Sequence, residues 1–331
     1  MSTALSLPQQ LQQFLSRGAA SMRGSYSTIF QRKRDSVLLK RMVDENEENR
    51  VELIDYVLEH DRILDEMDPP REIFGAKIIR TYFPVPFHDG PYTGIFMRNN
   101  GISLDKLGSA NYETVWNAVP DLIQGLVMLS SRGLIHGDIK LSNIVWDGQR
   151  LRLIDFDLLH SYEDSMETYK KNCENCTFDL FSVGPEVMLG NIQNYYYIWP
   201  LDRLYNPSNQ RFMFNPSSSI SIDNFKFLLK SLETTKKEYS SFMRFIKSMS
   251  TTSSTTSSKS SWVGEVIQFY SSPCEKLYDP TKFDIYSLGV TLSHIFPQEN
   301  PNWPLIRKMI HPDPSHRPTP SEAYQAFVYY L

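Results

Sequence analysis

The sequence predicts an α+β protein with enough chain for two lobes or domains, and three observations carry that expectation. The 331 residues are 41% hydrophobic and 22% charged, enough to bury a substantial core. Two short apolar-rich runs, Ile144-Val145-Trp146 and Leu151-Arg152-Leu153-Ile154, flank Asp147-Gly148, a strong signal for the turn of a β-hairpin. Between Tyr112 and Arg132 the pattern changes. Val115, Trp116, Val119, Leu122, Ile123 and Leu126 recur at helical spacing, and Gly133 supplies a stop.

A hairpin over 144–154 has a chemical consequence. Its two ends meet, so Asn143 before it and Asp155 after it can hold one cation. Just upstream, His136-Gly137-Asp138-Ile139-Lys140 adds a carboxylate and an ammonium. Phosphoryl transfer from ATP needs such a set: a carboxylate to receive the proton of the substrate hydroxyl, a cation near the transferring phosphate, and two oxygen ligands for Mg2+. Residues 136–143, together with Asp155-Phe156-Asp157, resemble the catalytic loop and metal-binding motif of eukaryotic-type protein kinases. Lys140 stands where the serine/threonine branch typically has Lys. The resemblance implies Asp138 as the catalytic base, Lys140 as the neutraliser of charge on the γ-phosphate, and Asn143 and Asp155 as Mg2+ ligands. The His-Gly-Asp-Ile-Lys wording is also similar to the casein kinase 1 and vaccinia-related branch.

Working along the chain, the resemblance implies a small strand-rich lobe over residues about 18–98 and a mainly helical lobe over about 99–331, after an uninterpreted extension, 1–17. Gly24-Ser25-Tyr26-Ser27-Thr28-Ile29 aligns with the second half of a phosphate-covering glycine loop. Of its three glycines only Gly24 is kept, with Met22 and Ser27 at the other positions, so a stiffer loop and weaker nucleotide binding are expected. That erosion, with a compact lobe, looks like kinases of large DNA viruses. Val37-Leu38-Leu39-Lys40 sits where the family has the strand whose Lys contacts the α/β-phosphates. Leu38 replaces the usual Ala and narrows the adenine slot. Lys40 then needs a carboxylate from the following helix. Glu59 is preferred, ten residues before Pro69, with Glu52 and Glu66 as alternatives on a generally acidic helix. Ile95 to Leu104 resembles the segment joining the lobes, with Met97 as gatekeeper and the backbone around Asn99 facing adenine. Read without the resemblance, it is an edge strand followed by a helix N-cap at Ser103. Ile29 and Val145 complete the nucleotide-binding positions.

Three further segments belong to protein kinases rather than to small-molecule phosphotransferases. Gly184-Pro185-Glu186 resembles the end of an activation segment, Asp284-Ile285-Tyr286-Ser287-Leu288-Gly289 the start of a central buried helix, and His311 to Thr319 the last family segment. The resemblance implies that Arg317 pairs with Glu186. Asp284 follows Glu186 by 98 positions, so residues about 191–277 read as an insertion. It opens on Tyr195-Tyr196-Tyr197-Ile198-Trp199. It continues with two helical patterns, Phe225-Leu228-Leu229-Leu232 and Tyr239-Phe242-Met243-Ile246, expected to pack on the large lobe. The stretch from Asp284 to Arg317 is short, and the insertion is expected to cover the surface this leaves bare. Residues 250–261, eleven Ser/Thr and one Lys, have nothing to offset ordering entropy and read as a flexible linker. Cys173-x-x-Cys176 lacks the second pair that a structural zinc needs.

Composition excludes several other classes. A net charge of −4 gives no support for nucleic-acid or membrane-surface binding. No apolar run reaches the length of a membrane span, and Met1 to Gln13 lacks the basic-then-apolar pattern of a secretory signal. Three Cys suit a reducing intracellular compartment. The expected activity is therefore ATP·Mg2+-dependent phosphorylation of Ser/Thr on a protein substrate, by a chain expected to be monomeric. Two competitors remain: a pseudokinase scaffold, favoured by the eroded loop and by Asp157 where the family has Gly, and a small-molecule phosphotransferase. Gly137 occupies the place of the Arg that reads activation-segment phosphates. Ser165, Thr168, Tyr169, Thr177 and Ser182 are therefore not expected to act as a switch.

Overall fold

The computed structural model describes residues 20–23, 27–31, 37–42, 47–87, 90–107, 112–175, 178–179, 200–215, 218–234, 262–272, 278–296, 300 and 302–330. The extension 1–17, Gly24, Glu186, the aromatic run 195–199, the second helical pattern of the insertion and the tract 250–261 lie outside them. The architecture is mixed α+β with small, mostly antiparallel sheets, and the chain divides into two compact units. The first comprises Met1–Leu107 and Ser142–Asp157, the second Gly108–Leu141 and Leu158–Leu331. The first unit thus takes in 99–107 and 142–157, beyond the 18–98 stretch expected to form it.

In the first unit, β1 (Ala20–Arg23), β2 (Ser27–Gln31), β3 (Val37–Met42), β4 (Ile78–Phe87) and β5 (Gly90–Arg98) form an antiparallel sheet in the order β1-β2-β3-β5-β4. β5 is interior, not an edge, because β4 folds back along it with bulges after Ile78 and Tyr82. Lys40 on β3 has Ile29 and Ile95 as its cross-strand neighbours. The 21-residue helix α1 (Glu47–Met67) separates β3 from β4. It buries Ile54 and Leu64, and Ile54 packs with Ile95 and Met97, so an apolar stripe fastens the helix to the sheet. Its exit is pinned by charge. Arg71, in a left-handed conformation at φ 53°, pairs with Asp61 and Asp65, and the Asp68 carboxylate accepts the Ile73 and Phe74 amides at 2.8 and 3.0 Å.

A smaller sheet in the same unit has the order β6 (Ile102–Ser103), β8 (Ile144–Trp146), β9 (Leu151–Leu153). β8 and β9 are the expected hairpin, with Ile144 opposite Leu153 and Trp146 opposite Leu151. Its turn is set by Asp147, whose Oδ1 accepts the Gln149 and Arg150 amides at 2.8 and 2.7 Å. Ser103 precedes one turn of 3-10 helix, Leu104–Lys106, but its side chain does not cap it.

In the second unit, the periodic stretch after Tyr112 forms two helices, α2 (Tyr112–Asn117) and α3 (Val119–Ser131), not one. Pro120 in the first turn of α3 has no N–H to continue a helix across Ala118. Gly133, at φ 68°, ends α3 as expected. The short strands β7 (Leu134–Ile135) and β10 (His160–Ser161) pair antiparallel, and α4 (Tyr162–Asn175) follows. Next come β11 (Phe178–Asp179), α5 (Leu201–Leu204), β12 (Tyr205–Asn206), β13 (Arg211–Asn215), β14 (Ser218–Ser221), α6 (Ile222–Thr234) and α7 (Trp262–Ser271). The four strands form one sheet in the order β11-β14-β13-β12. The chain closes with α8 (Phe283–Ile295), α9 (Trp303–Met309) and α10 (Pro320–Tyr330).

Most of α8 is buried, and the insertion covers part of it. Tyr286, Val290 and Ile310 share one core with Leu201, Leu204, Phe212, Phe225, Leu229, Val266 and Tyr270. Phe212 sits between Phe225 and Tyr270, ring centroids 4.2 and 4.9 Å away. The described part of the insertion therefore contributes to the core, and Phe225, Leu228 and Leu229 of its first amphipathic pattern, now α6, pack inward as expected.

Candidate active site

Each unit carries part of the candidate set. In the first, the hairpin delivers Asn143 and Asp155. The Ile154 amide donates to the Asn143 carbonyl at 3.0 Å, which clasps the two ends of the hairpin. Asn143 is buried and the Asp155 side chain is 37% exposed. Asp155 has a left-handed backbone, φ 67°, a sparsely populated conformation for a residue with a Cβ and one that accumulates at functional sites. Phe156, next in the chain, is buried and edge-on to Phe74 with centroids 5.6 Å apart, and His60 Nδ1 lies 3.0 Å from its carbonyl oxygen.

Lys40 points from β3 to this segment. Its Nζ donates to Asp155 Oδ1 at 2.8 Å and to Asp157 Oδ2 at 2.5 Å. Burial alone pushes its pKa down, but the two carboxylates reverse that and hold it above the usual lysine value. Burial pushes the Asp157 carboxyl up, against the pull of Lys40. Lys40 is thus buried and paired with two carboxylates.

The expected partner of that ammonium is not where helical spacing put it. Glu59 is exposed and hydrogen-bonded to Arg62 at 2.6 Å, which lowers its pKa. Glu66 shares Arg62 at 2.9 Å, and Glu52 is exposed. The cause is helical phase. Ile54, His60, Leu64 and Asp68 are buried, so the residue before His60, turned by about 100°, faces solvent. Asp157, whose carboxylate takes up the role, had been read only as a departure from Gly.

Other nucleotide-binding candidates fall on the same unit. Met97 is buried against Ile54 and Ile95, with Leu38 packed on the same cluster. Val145 is buried on β8, and Ile29 is half-buried on β2. Asn99 caps its own turn, Oδ1 accepting the Gly101 amide at 3.2 Å, while Asn100 Oδ1 accepts the Ala76 amide at 2.7 Å.

The second unit holds Asp138 and Lys140. Lys140 Nζ donates to both carboxylate oxygens of Asp138, at 2.9 and 2.7 Å. The loop carrying them is suspended from α8: buried Asp284 accepts the His136 amide at 2.7 Å and the Gly137 amide at 3.2 Å. Thr291, one α8 face further on, reaches the Ile139 carbonyl at 3.4 Å. Gly137 has φ 79°, and a Cβ there would lie 2.8 Å from the Leu158 carbonyl oxygen. An Arg at this position is barred by backbone and by space.

The segment after Asp157 is built in, too. Ser165 Oγ lies 2.6 Å from Tyr278 Oη, and Tyr169 Oη donates to the Tyr205 carbonyl at 2.6 Å, both hydroxyls on the buried face of α4. Arg203 lies over the Tyr169 and Tyr278 rings, 5.8 and 5.4 Å from their centroids. Thr168 is exposed, and Thr177 and Ser182 lie outside the described residues.

Arg317 has a partner that sequence reasoning missed. It is fully buried and forms an ion pair with Asp202 of the insertion, Nη1 to Oδ1 2.7 Å, while donating to the carbonyls of His311 and Pro312 at 2.7 and 3.1 Å. Burial pushes the Asp202 carboxyl up, and Arg317 pulls it back.

The donor set at the hairpin is all oxygen, which suits a hard cation such as Mg2+. Among the described residues no three His, Cys, Asp or Glu side chains gather into a metal site. No helix among the described residues is long and apolar enough to cross a membrane. Compared with known proteins, the chain matches no family model and no curated sequence.

Proposed function

We propose that the protein is a two-lobed, eukaryotic-type protein kinase that transfers the γ-phosphate of ATP to Ser or Thr hydroxyls of a protein substrate. The observation that carries this reading is Lys40, a buried ammonium held at 2.8 Å by the same Asp155 that the hairpin sets beside Asn143. A cation for the α/β-phosphates and a carboxylate for Mg2+ thus come from one constellation. Asn143 and Asp155 would hold Mg2+, which when bound neutralises charge on the phosphates. Asp138 accepts the proton of the incoming hydroxyl, and Lys140, already on both Asp138 oxygens, sits ready to offset charge on the transferring group. Asp284 keeps the backbone of that loop rigid.

The test is radiolabelled ATP with the protein alone and with basic and acidic protein acceptors, followed by phosphoamino-acid analysis. Label on Ser or Thr is expected. Asp138→Asn should keep the fold and nucleotide binding while transfer falls by about 10²-fold or more. Transfer by the variant at the wild-type rate overturns the reading. A second reading, a nucleotide-binding scaffold without transfer, is favoured by the double carboxylate clamp on Lys40. It predicts thermal stabilisation by ATP and Mg2+ with no label transferred.

A further inference from the structure

The carboxylate that anchors Lys40 comes from an unexpected place. The face of α1 that meets the sheet is apolar where it approaches β3 and β5: Ile54, Val57 and Leu58 pack with Leu38, Ile95 and Met97. The candidate carboxylates of that helix, Glu52, Glu59 and Glu66, are exposed. Yet Lys40 is 4% exposed, and a buried ammonium without a counter-charge is costly. Among the described residues its partners are Asp155 and Asp157.

The two carboxylates are not equivalent. Asp157 makes the shorter contact, 2.5 Å against 2.8 Å, and its side chain is the more sheltered, 22% exposed against 37%. The backbone between them is held from two sides. His60 Nδ1 lies 3.0 Å from the Phe156 carbonyl, and the Phe156 ring is wedged edge-on against Phe74. A divalent cation drawn to Asp155 competes directly with Lys40 for that carboxylate. Lys40 would then be left with one partner, and that partner is already in place.

We propose that Asp157 is the fixed counter-ion of Lys40, a positioning residue that replaces a helix carboxylate and lets Asp155 exchange Lys40 for a divalent cation. This rests on the nucleotide-binding reading above. It turns the departure from Gly at position 157 from a mark of decay into a working part. Without Asp157, Lys40 would collapse onto Asp155, and both phosphate and metal binding would suffer together.

A double-mutant cycle tests it, using Asp157→Asn, Lys40→Met and the double variant, with Asp157→Glu as the conservative rescue. Two quantities are read for each: kcat/KM for MgATP, and the Kd for MgATP by titration calorimetry, which needs no turnover. Melting curves confirm that each variant is folded. Asp157→Asn is expected to lower kcat/KM tenfold or more and to weaken MgATP binding and raise the Mg2+ concentration needed for half-maximal rate. The double variant should be no worse than Lys40→Met alone, and Asp157→Glu should recover at least part of the loss. A residue that merely supports the fold would not show that dependence on Lys40. Asp157→Asn within threefold of wild type in both quantities, or a loss that adds in full to that of Lys40→Met, overturns the proposal. If the wild type binds MgATP but transfers nothing, the kinase reading fails while the binding cycle still decides the role of Asp157. If the wild type neither binds nor transfers, both readings fall.

Discussion

Lys40 and Arg317 are both cations withdrawn from water and answered by Asp, but they are built for different ends. Arg317 and Asp202 are sealed, with side chains 0% and 1% exposed, and Arg317 spends its other donors on the carbonyls of His311 and Pro312. Its guanidinium also lies over the Tyr286 ring, 4.8 Å from the centroid, in the core that the insertion shares with α8. Lys40 is equally deep, but its two carboxylates are 37% and 22% exposed and lie at the open end of a hairpin. A cation whose partners are sealed serves the fold. A cation whose partners reach solvent can exchange a carboxylate for an anionic ligand, and the released carboxylate can take a metal; that difference separates a structural pair from a candidate site.

The largest effect expected from this contrast is on stability. Asp202→Asn removes the carboxylate that faces buried Arg317 among the described residues and should cost about 3–5 kcal/mol in urea denaturation. Replacing both partners by apolar residues, Asp202→Leu with Arg317→Met, should cost less than either single change. It should not be neutral, because the His311 and Pro312 carbonyls lose their donor, at about 1–3 kcal/mol. A single-site loss below about 1 kcal/mol would show that the two pairs are not different in kind.

Lys40→Met should fall on the other side of the comparison. Removing the ammonium leaves two carboxylates side by side, but both can be hydrated, so the loss should stay below about 2 kcal/mol. MgATP binding, in contrast, should fall by tenfold or more, since the phosphates lose their cation. Denaturation and calorimetry on one preparation check both halves. A stability loss as large as that of Asp202→Asn would place Lys40 among the structural ions.

How much of this was legible beforehand depended on the range of the interaction. The hairpin was readable because Asp147-Gly148 and the runs beside it act locally, and with it came the meeting of the chain ends that carry Asn143 and Asp155. The stop at Gly133 was readable for the same reason, and Pro120 is the local signal for the break at Ala118. The phase of α1 was not. Its acidic residues fall on every face, and buried positions include the polar His60 and Asp68, so no clean apolar stripe marks which Glu turns inward. Nor was Asp202 readable as the partner of Arg317. Nothing near it in sequence distinguishes it from a surface carboxylate, and only the packing of the insertion on α8 brings it to the guanidinium. The sequence shows Asp157 but not its contact with Lys40, on a strand more than a hundred residues earlier.

The smallest predicted effect is also the sharpest check on the helix register. Glu59 had been the expected partner of Lys40, and if it were, its loss would resemble the loss of Asp157. Its carboxylate instead sits in solvent on Arg62, which also reaches Glu66, so Arg62 keeps a partner when Glu59 is neutralised. Exposed pairs of this kind contribute little and are screened by salt. Glu59→Gln should therefore leave the melting transition unchanged within error and keep kcat/KM for MgATP within about twofold of wild type. The same measurement on Asp157→Asn should differ by tenfold or more. If Glu59→Gln were the damaging change and Asp157→Asn the silent one, α1 would have to turn by a residue in the working protein. Lys40 would then take its charge from the helix, and the contrast between sealed and open pairs would have to be redrawn around Glu59.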